Sequence, residues 1–251
     1  MATTEGRAFP GRTPEALRGY LGATFAGPPK LRSPPQDSTL YFDIKPEQEP
    51  LIYHESYDIS FLGIENLHPF DSKKWGKILA FLKQRRTIKE QQVVKPNKAS
   101  TNDLLAVHTE EYLLSLKSSA QVASITEVAP VALLPNFLVR RNLLNNFKMQ
   151  TGGSVLAGKL AVERGWAINL GGGFHHCCGC AGGGFCAFAD ITLCAYFARD
   201  RLPGIQRVMV IDLDAHQGNG HERGLTGSQG DGHERGLTGS QGNGHERDLM
   251  G

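Results

Sequence analysis

Along the segment DSKKWGKILAFLKQ, Trp75, Ile78, Leu79 and Leu82 recur every three or four residues behind Asp71, which predicts a helix with an acidic cap. STNDLLAVH and TEEYLLSLKS predict two further short helices. TGGSVLAGKLAVERG predicts a longer one, with Gly153, Ala157 and Ala161 on one face and Gly165 as its stop. A face of small residues lets a helix lie close against a sheet. The pattern then changes. WAINL and RVMVID are short unbroken apolar runs, the mark of buried strands, and ADITLCAYFARD between them is helical. Strand, helix and strand in that order predict parallel strands joined by a right-handed crossover. Ligands collect beyond the carboxyl ends of such strands. Here those ends read GGGFHH and DLDAH.

The flanks carry no such pattern. Residues 1–50 hold eight of the thirteen prolines, with six basic and six acidic residues, and are expected to be a disordered extension. Residues 224–251 form a glycine-rich tail in which QGNGHERGLTGS, begun at Gln217, recurs with one change and then starts a third time. The tail is expected to be disordered. The folded part is thus expected over residues 51–223.

Composition narrows the function classes. The chain is 40% hydrophobic and 21% charged, with a formal net charge of +2, so no basic stripe marks a nucleic-acid surface. No apolar run approaches the ~20 residues of a membrane helix. The N-terminal stretch has no apolar core of a secretion signal. All five cysteines fall between Cys177 and Cys194, unlike a secreted disulfide framework, and a reducing compartment, nucleus or cytoplasm, is expected.

The chemistry lies at the two strand ends. On an extended chain Asp212, Asp214 and His216 point to one side. Asp214 and His216 are then placed to grip zinc or a similar divalent metal, while Asp212, further back, suits orientation of a second histidine or a hard cation. The bland alternative is a solvated acidic strand end, which leaves a carboxylate poorly paired beside a buried strand. Gly171, Gly172 and Gly173 allow a sharp turn before His175 and His176. Alone, two adjacent histidines are an ordinary loop feature. Beside Asp-x-Asp-x-His they form a plausible pair for taking a proton from metal-bound water and returning it to a leaving amine.

GGGFHH, then FCAFADI, then IDLDAHQGNG, resembles the zinc-dependent histone deacetylases. HPFDSKKWGKI, LPNFLVRRNLL, QTGGSVLAGKLAVERGWAINLGGGFHH and GHERDLM extend the resemblance, most closely to class IV, over about two-thirds of the chain. The resemblance implies an α/β, arginase/deacetylase-like three-layer fold with a mainly parallel sheet, incomplete at its C-terminal side. It implies Asp214 and His216 as Zn2+ ligands and His176 as general base and then acid. His175 becomes its electrostatic partner on Asp212, and Asn219 stands behind His176 where many relatives place an Asp. Gly184 and Phe185 would line an acyl-lysine tunnel, and backbone around Asp212, Asp214 and His216 would hold a structural K+. The implied substrate is an acylated lysine of a histone or another protein. Other deacetylase-complex proteins are implied partners, with chromatin regulation in nucleus and cytoplasm as the setting.

The family's third zinc ligand, an Asp, and its oxyanion Tyr follow in a region this sequence does not contain. A catalytic zinc has three protein ligands, and loss of an oxyanion donor alone costs ~10²–10³ in rate. Little or no turnover is therefore expected, and a non-catalytic fragment that binds or competes stays open beside the enzyme. Two other hydrolase classes fit less well. Aspartyl phosphatases carry Thr or Val where His216 stands, and arginase-like enzymes carry an Asp where Gly218 stands. Cys177, Cys178 and Cys180 depart from the polar loop of class IV relatives, either as part of a separate zinc site or as drift of the loop. His54, His68 and His108 are expected at caps or core edges, Trp166 in the core, and KQRR at a solvated helix end. His221, His233 and His245 are expected to be copies of the outer flank of the metal loop.

Overall fold

The structure, a computed structural model, describes residues 31–60, 63, 65, 71–226 and 237–240, with backbone alone for 225, 226 and 237–240. His68, His233, His245 and residues 1–30 lie outside the described residues. Eight α-helices and four short strands follow one another: β1 Leu51–Ile52, α1 Lys74–Gln84, α2 Thr101–Leu104, α3 Glu110–Ser115, α4 Ser119–Thr126, α5 Asn136–Val139, α6 Asn145–Arg164, β2 Ile168–Asn169, α7 Asp190–Arg201, β3 Val208–Ile211, α8 Asn219–Thr226 and β4 Leu237–Ser240. Both strand pairs are parallel, β1 with β2 in the register Leu51↔Ile168 and β3 with β4 in the register Val208↔Leu237. Among the described residues no helix is long and apolar enough to cross a membrane.

The helices form where the spacing places them. On α1, Trp75 and Leu79 turn into the core while Ile78 stays on the surface. Asp71 acts one step earlier than a cap, its carboxylate accepting from the Lys73 N–H at 3.1 Å in the turn that precedes the helix. Ser100 and Asp103 close a reciprocal capping box on α2, and Thr109 caps α3 through the Tyr112 N–H at 3.1 Å. A π turn at Arg140–Leu144 joins α5 to α6. On α6, Gly153 of the predicted small-residue face lies against Asn169 of β2, 2.7 Å from where a side chain would start, and two further glycines outside that face are also closely packed. A side chain at Gly152 would start 1.9 Å from the Asn97 carbonyl oxygen, and one at Gly158 would start 2.9 Å from Cys194 on α7. Gly165 ends the helix in the left-handed conformation, φ +85°. The main core gathers Leu104, Tyr112, Ile125, Phe147, Val155, Phe174, Phe188 and Phe197 between these helices.

Three expectations change. Residues 31–50 are packed chain. Leu40 is 1% exposed, and Arg201 donates to the Pro34 and Pro35 carbonyls at 2.8 and 2.6 Å. Asn97 donates to the Thr39 carbonyl at 2.8 Å, and Lys159 pairs with Asp43 at 2.9 Å. An irregular proline-rich strap has no period to betray it, yet side chains of the domain satisfy its carbonyls. Secondly, β2 and β3 are not ladder neighbours among the described residues, and neither is a buried strand. Val208 and Val210 of β3 pack on Ala195 of α7, but Met209, Ile211 and Leu213 are 70%, 66% and 91% exposed. Trp166 and Ile168 are exposed as well, because the described residues cover one side of each strand only. Thirdly, the repeat tail contributes structure at two places, the end of α8 and the strand β4.

Candidate active site

The glycine turn is folded around a carboxylate. Gly172 and Gly173 adopt φ +81° and +75°, and Asp190, fully buried at the start of α7, accepts from the Gly173 and Phe174 N–H groups at 2.7 Å each. Ser154 of α6 donates to the same carboxylate. Burial raises the pKa of Asp190, and these donated bonds oppose that rise. A side chain at Gly172 would start 2.4 Å from Asp190 Oδ2, so the turn requires glycine there. The result is directional. Phe174 is driven into the core edge-on to Phe147 at 5.5 Å, and the next two residues emerge together beyond β2.

Those residues are His175 and His176, with ring centroids 4.0 Å apart. His175 Nδ1 donates to Asp212 Oδ2 at 2.9 Å, a bond between two side chains that are both nearly buried. His176 Nδ1 donates to Asn219 Oδ1 at 3.2 Å. In each case the partner fixes Nδ1 as the protonated nitrogen and leaves Nε2 as the acceptor. The two dyads differ in charge: one ends in a carboxylate, the other in a neutral amide.

Beyond Ile211 the chain leaves the strand, and Asp212, Asp214 and His216 are held by two successive turns. The Asp214 N–H donates to Asp212 Oδ1 at 3.0 Å and the His216 N–H to Asp214 Oδ1 at 2.8 Å. Burial works against the charge on Asp212, but bonds from His175 and the Asp214 N–H outweigh it and hold the carboxyl below its usual pKa. Asp214 is also held low, first by the His216 N–H. His175 Nε2 lies 3.9 Å from Asp214 Oδ1, so the acidic loop and the histidine pair form one cluster.

The fit to a metal is partial. Asp214 Oδ1 and His216 Nδ1 stand 3.1 Å apart, a spacing two ligands of one ion can share. Among the described residues no group of three His, Cys, Asp or Glu side chains is placed to hold a metal ion. The donor set therefore falls short of the three protein ligands of a catalytic zinc.

Gly184 packs on the ring of His176. Its φ is +52°, and a side chain there would start 2.4 Å from His176 Cδ2. Phe185 follows at φ +66°, an unusual conformation for a bulky residue. It is pinned by its N–H to the Ile125 carbonyl at 2.9 Å and by Phe147 at 5.3 Å. Gly184 thus borders His176, and Phe185 follows it against Phe147.

Two residues at the site escape the sequence reading. Asp190 looks like an ordinary acidic residue in the first turn of a helix. His221, which the repeat makes look incidental, is 2% exposed, with Nε2 3.5 Å from Asp212 Oδ2 and Nδ1 3.2 Å from the Gly218 carbonyl. Asp212 therefore lies between two imidazoles. Gly218 and Gly220 make the approach possible, since side chains there would start 2.2 Å from Asp212 Oδ2 and from the His176 backbone. The N–H groups of Gly220 and His221 then cap the His175 carbonyl at 2.8 and 3.1 Å. The bland reading of His54 holds, since it caps a turn through the Ser56 N–H at 3.1 Å. His108 instead lies wholly in the core, its Nδ1 donating to the Gly179 carbonyl at 3.2 Å and its Nε2 accepting from the Ala189 N–H at 3.1 Å.

Comparison with known proteins bears on this cluster directly. Residues 68–230 match the family model of the histone deacetylase domain. Histone deacetylase 2 of Arabidopsis thaliana is 62% identical over 189 residues, which cover 75% of this chain and 49% of that protein. Probable histone deacetylase 19 of Zea mays is 30% identical over 162 residues, 62% of this chain and 30% of that one. Among solved structures, an HDAC homolog from Aquifex aeolicus superposes with a TM-score of 0.54 at 21% identity, covering 77% of this chain and 50% of that one. The three-layer α/β fold is shared. The chain spans about half the length of the Arabidopsis relative and of the solved structure.

Proposed function

We propose, for a chain that belongs to the histone deacetylase family, that its histidine pair is the acid/base half of a protein lysine deacylase centre. The observation that carries this reading is the pair of parallel dyads, His175 on Asp212 and His176 on Asn219, with rings 4.0 Å apart. His176, oriented by a neutral amide, keeps Nε2 free to accept a proton from water and to return it to a leaving lysine amine. His175, held by a carboxylate, stabilises positive charge beside it. Asp214 and His216 are the side chains that would offer donors to Zn2+. Gly184, which borders His176, and the adjacent Phe185 would line the path of the acyl-lysine chain. Histones and other acylated proteins of nucleus and cytoplasm are the substrate class.

Two donors do not complete a zinc site, so the 251-residue polypeptide by itself is not expected to hydrolyse acyl-lysine. Acetyl- and long-chain acyl-lysine peptides, incubated with the purified protein and added zinc, should show no release above a blank. Turnover that a chelator suppresses would overturn this. The open face of β3, with Met209, Ile211 and Leu213 exposed, favours a second reading as a non-catalytic binding module. In that case an acylated peptide is retained by the immobilised protein and recovered intact.

A further inference from the structure

We propose that Cys178 and Cys180 are a dithiol that closes to an intramolecular disulfide, with small disulfides of the glutathione type as the oxidant. The loop after His176 folds back at once, the Cys178 N–H donating to the Ala181 carbonyl at 2.9 Å. Within that turn the two sulfurs stand 3.7 Å apart. A disulfide bond is ~2.05 Å, so the sulfurs need to approach by roughly 1.7 Å, a distance that side-chain rotation can supply. The turn is held from outside. The Gly179 carbonyl between the two cysteines accepts from the Thr109 N–H at 2.9 Å and from His108 at 3.2 Å, which keeps both thiols on one short, anchored hairpin.

The other three thiols are occupied elsewhere. Cys177 is sealed in the core against Tyr112, at 3.9 Å, and donates to the Cys178 carbonyl at 3.5 Å. Cys186 donates to the Gly184 carbonyl at 3.3 Å, and Cys194 lies under Gly158 of α6. Burial pushes the Cys186 and Cys194 thiols up to about 12, so neither supplies a thiolate near neutral pH. In the Cys178–Cys180 pair, Cys180 donates its S–H to Cys178, and backbone N–H groups and the Arg223 charge add to the effect. Cys178 is held below the usual thiol range, and the pair shares one proton.

Cys178 is buried and Cys180 half-exposed, so reaction begins at Cys180. The shared proton passes to Cys178, and the Cys180 thiolate attacks glutathione disulfide, forming a mixed disulfide and releasing one glutathione thiolate. The Cys178 sulfur then attacks the Cys180 sulfur and displaces the second. Two electrons pass from the two protein sulfurs to the oxidant; the proton the pair shared leaves with one glutathione, and the other glutathione takes its proton from solvent. This proposal rests on the turn alone and is independent of the deacylase reading.

The test uses the whole chain. The reduced protein is equilibrated with mixtures of reduced and oxidised glutathione, quenched with N-ethylmaleimide, digested, and mapped by tandem mass spectrometry. The expected product is a Cys178–Cys180 link, reversed by dithiothreitol, with Cys177, Cys186 and Cys194 alkylated after denaturation. C177S should still close, and C178S should accumulate a glutathione adduct on Cys180 that the parent does not. The proposal falls if Cys178 and Cys180 both stay alkylatable in the parent, if the parent stops at the mixed disulfide, or if the link joins other cysteines. Because the parent map decides, a variant that fails to fold leaves the test intact.

Discussion

Asp190 shows how one side chain can hold a site it never enters. It accepts from the buried Phe174 N–H and the part-buried Gly173 N–H of the glycine turn, and without it both lose their partner. Each orphaned group costs ~1–3 kcal/mol, so Asp190→Ala should lower stability by about 2–5 kcal/mol in urea unfolding. Asp190→Asn, which keeps one acceptor oxygen, should lose less. A D190A midpoint matching the parent would show that the turn holds itself. Residues of this kind were the hardest to read in the sequence. His175, His176, Asp214 and His216 announce themselves through spacing, because metal and proton chemistry need those side chains close together. Asp190 and His221 act through burial, and nothing in their neighbours separates a buried partner from a solvated one.

At the scale of elements, periodicity found the helices and overstated the strands. An apolar run states that a strand wants cover, and only the three-dimensional arrangement states whether it receives any. β3 is covered by α7 on one side, which is why RVMVID reads as buried and half of it is not. Context also decides conformation outright. Leu225 and Thr226 end the helix α8, whereas the same two letters one repeat later, Leu237 and Thr238, begin the strand β4. The strap at residues 31–50 was missed for the opposite reason, since it is ordered by contacts and not by pattern. The close packing of α6 at Gly152, outside the small-residue face read from the sequence, carries a sharp prediction. Alanine in place of glycine should favour an isolated helix by ~1 kcal/mol. Gly152→Ala should nevertheless destabilise the protein by about 1–3 kcal/mol, because the new methyl meets the Asn97 backbone and not a side chain that can swing away. A rise in melting temperature for this variant would mean that the Asn97 segment yields.

For the molecule as a whole, mild acid should cost stability. His108 is fully buried with Nε2 as an acceptor, and burial lowers its pKa to about 4. An unfolded histidine titrates near 6.5. Between those values the unfolded chain binds the extra proton, so stability is full above pH ~6.5 and falls as the pH drops toward 4. The loss from this one group is on the order of 3 kcal/mol. Urea midpoints measured from pH 7 to pH 4.5 should decline through this window, and a flat profile would mean His108 is protonated in the fold. The open face of β3 predicts a second bulk property. Sedimentation should show concentration-dependent self-association that Ile211→Lys reduces, since its side chain is 66% exposed beside Met209 and Leu213. Equal sedimentation of parent and variant would remove that face as the cause. Family and general architecture were legible because the motifs lie within one continuous half of the domain.

The docking of α8 has a consequence for how this gene can change. His221 and the two glycines before it belong to the first of the repeated units, and that unit is fitted to Asp212 and His176. Twelve residues correspond to thirty-six nucleotides, a whole number of codons. Slippage during replication can therefore add or drop a later copy without shifting the reading frame. Alleles that differ in copy number would keep His221 and its two glycines beside Asp212 and His176, while the pairing of β3 with β4 would change with the copies that remain.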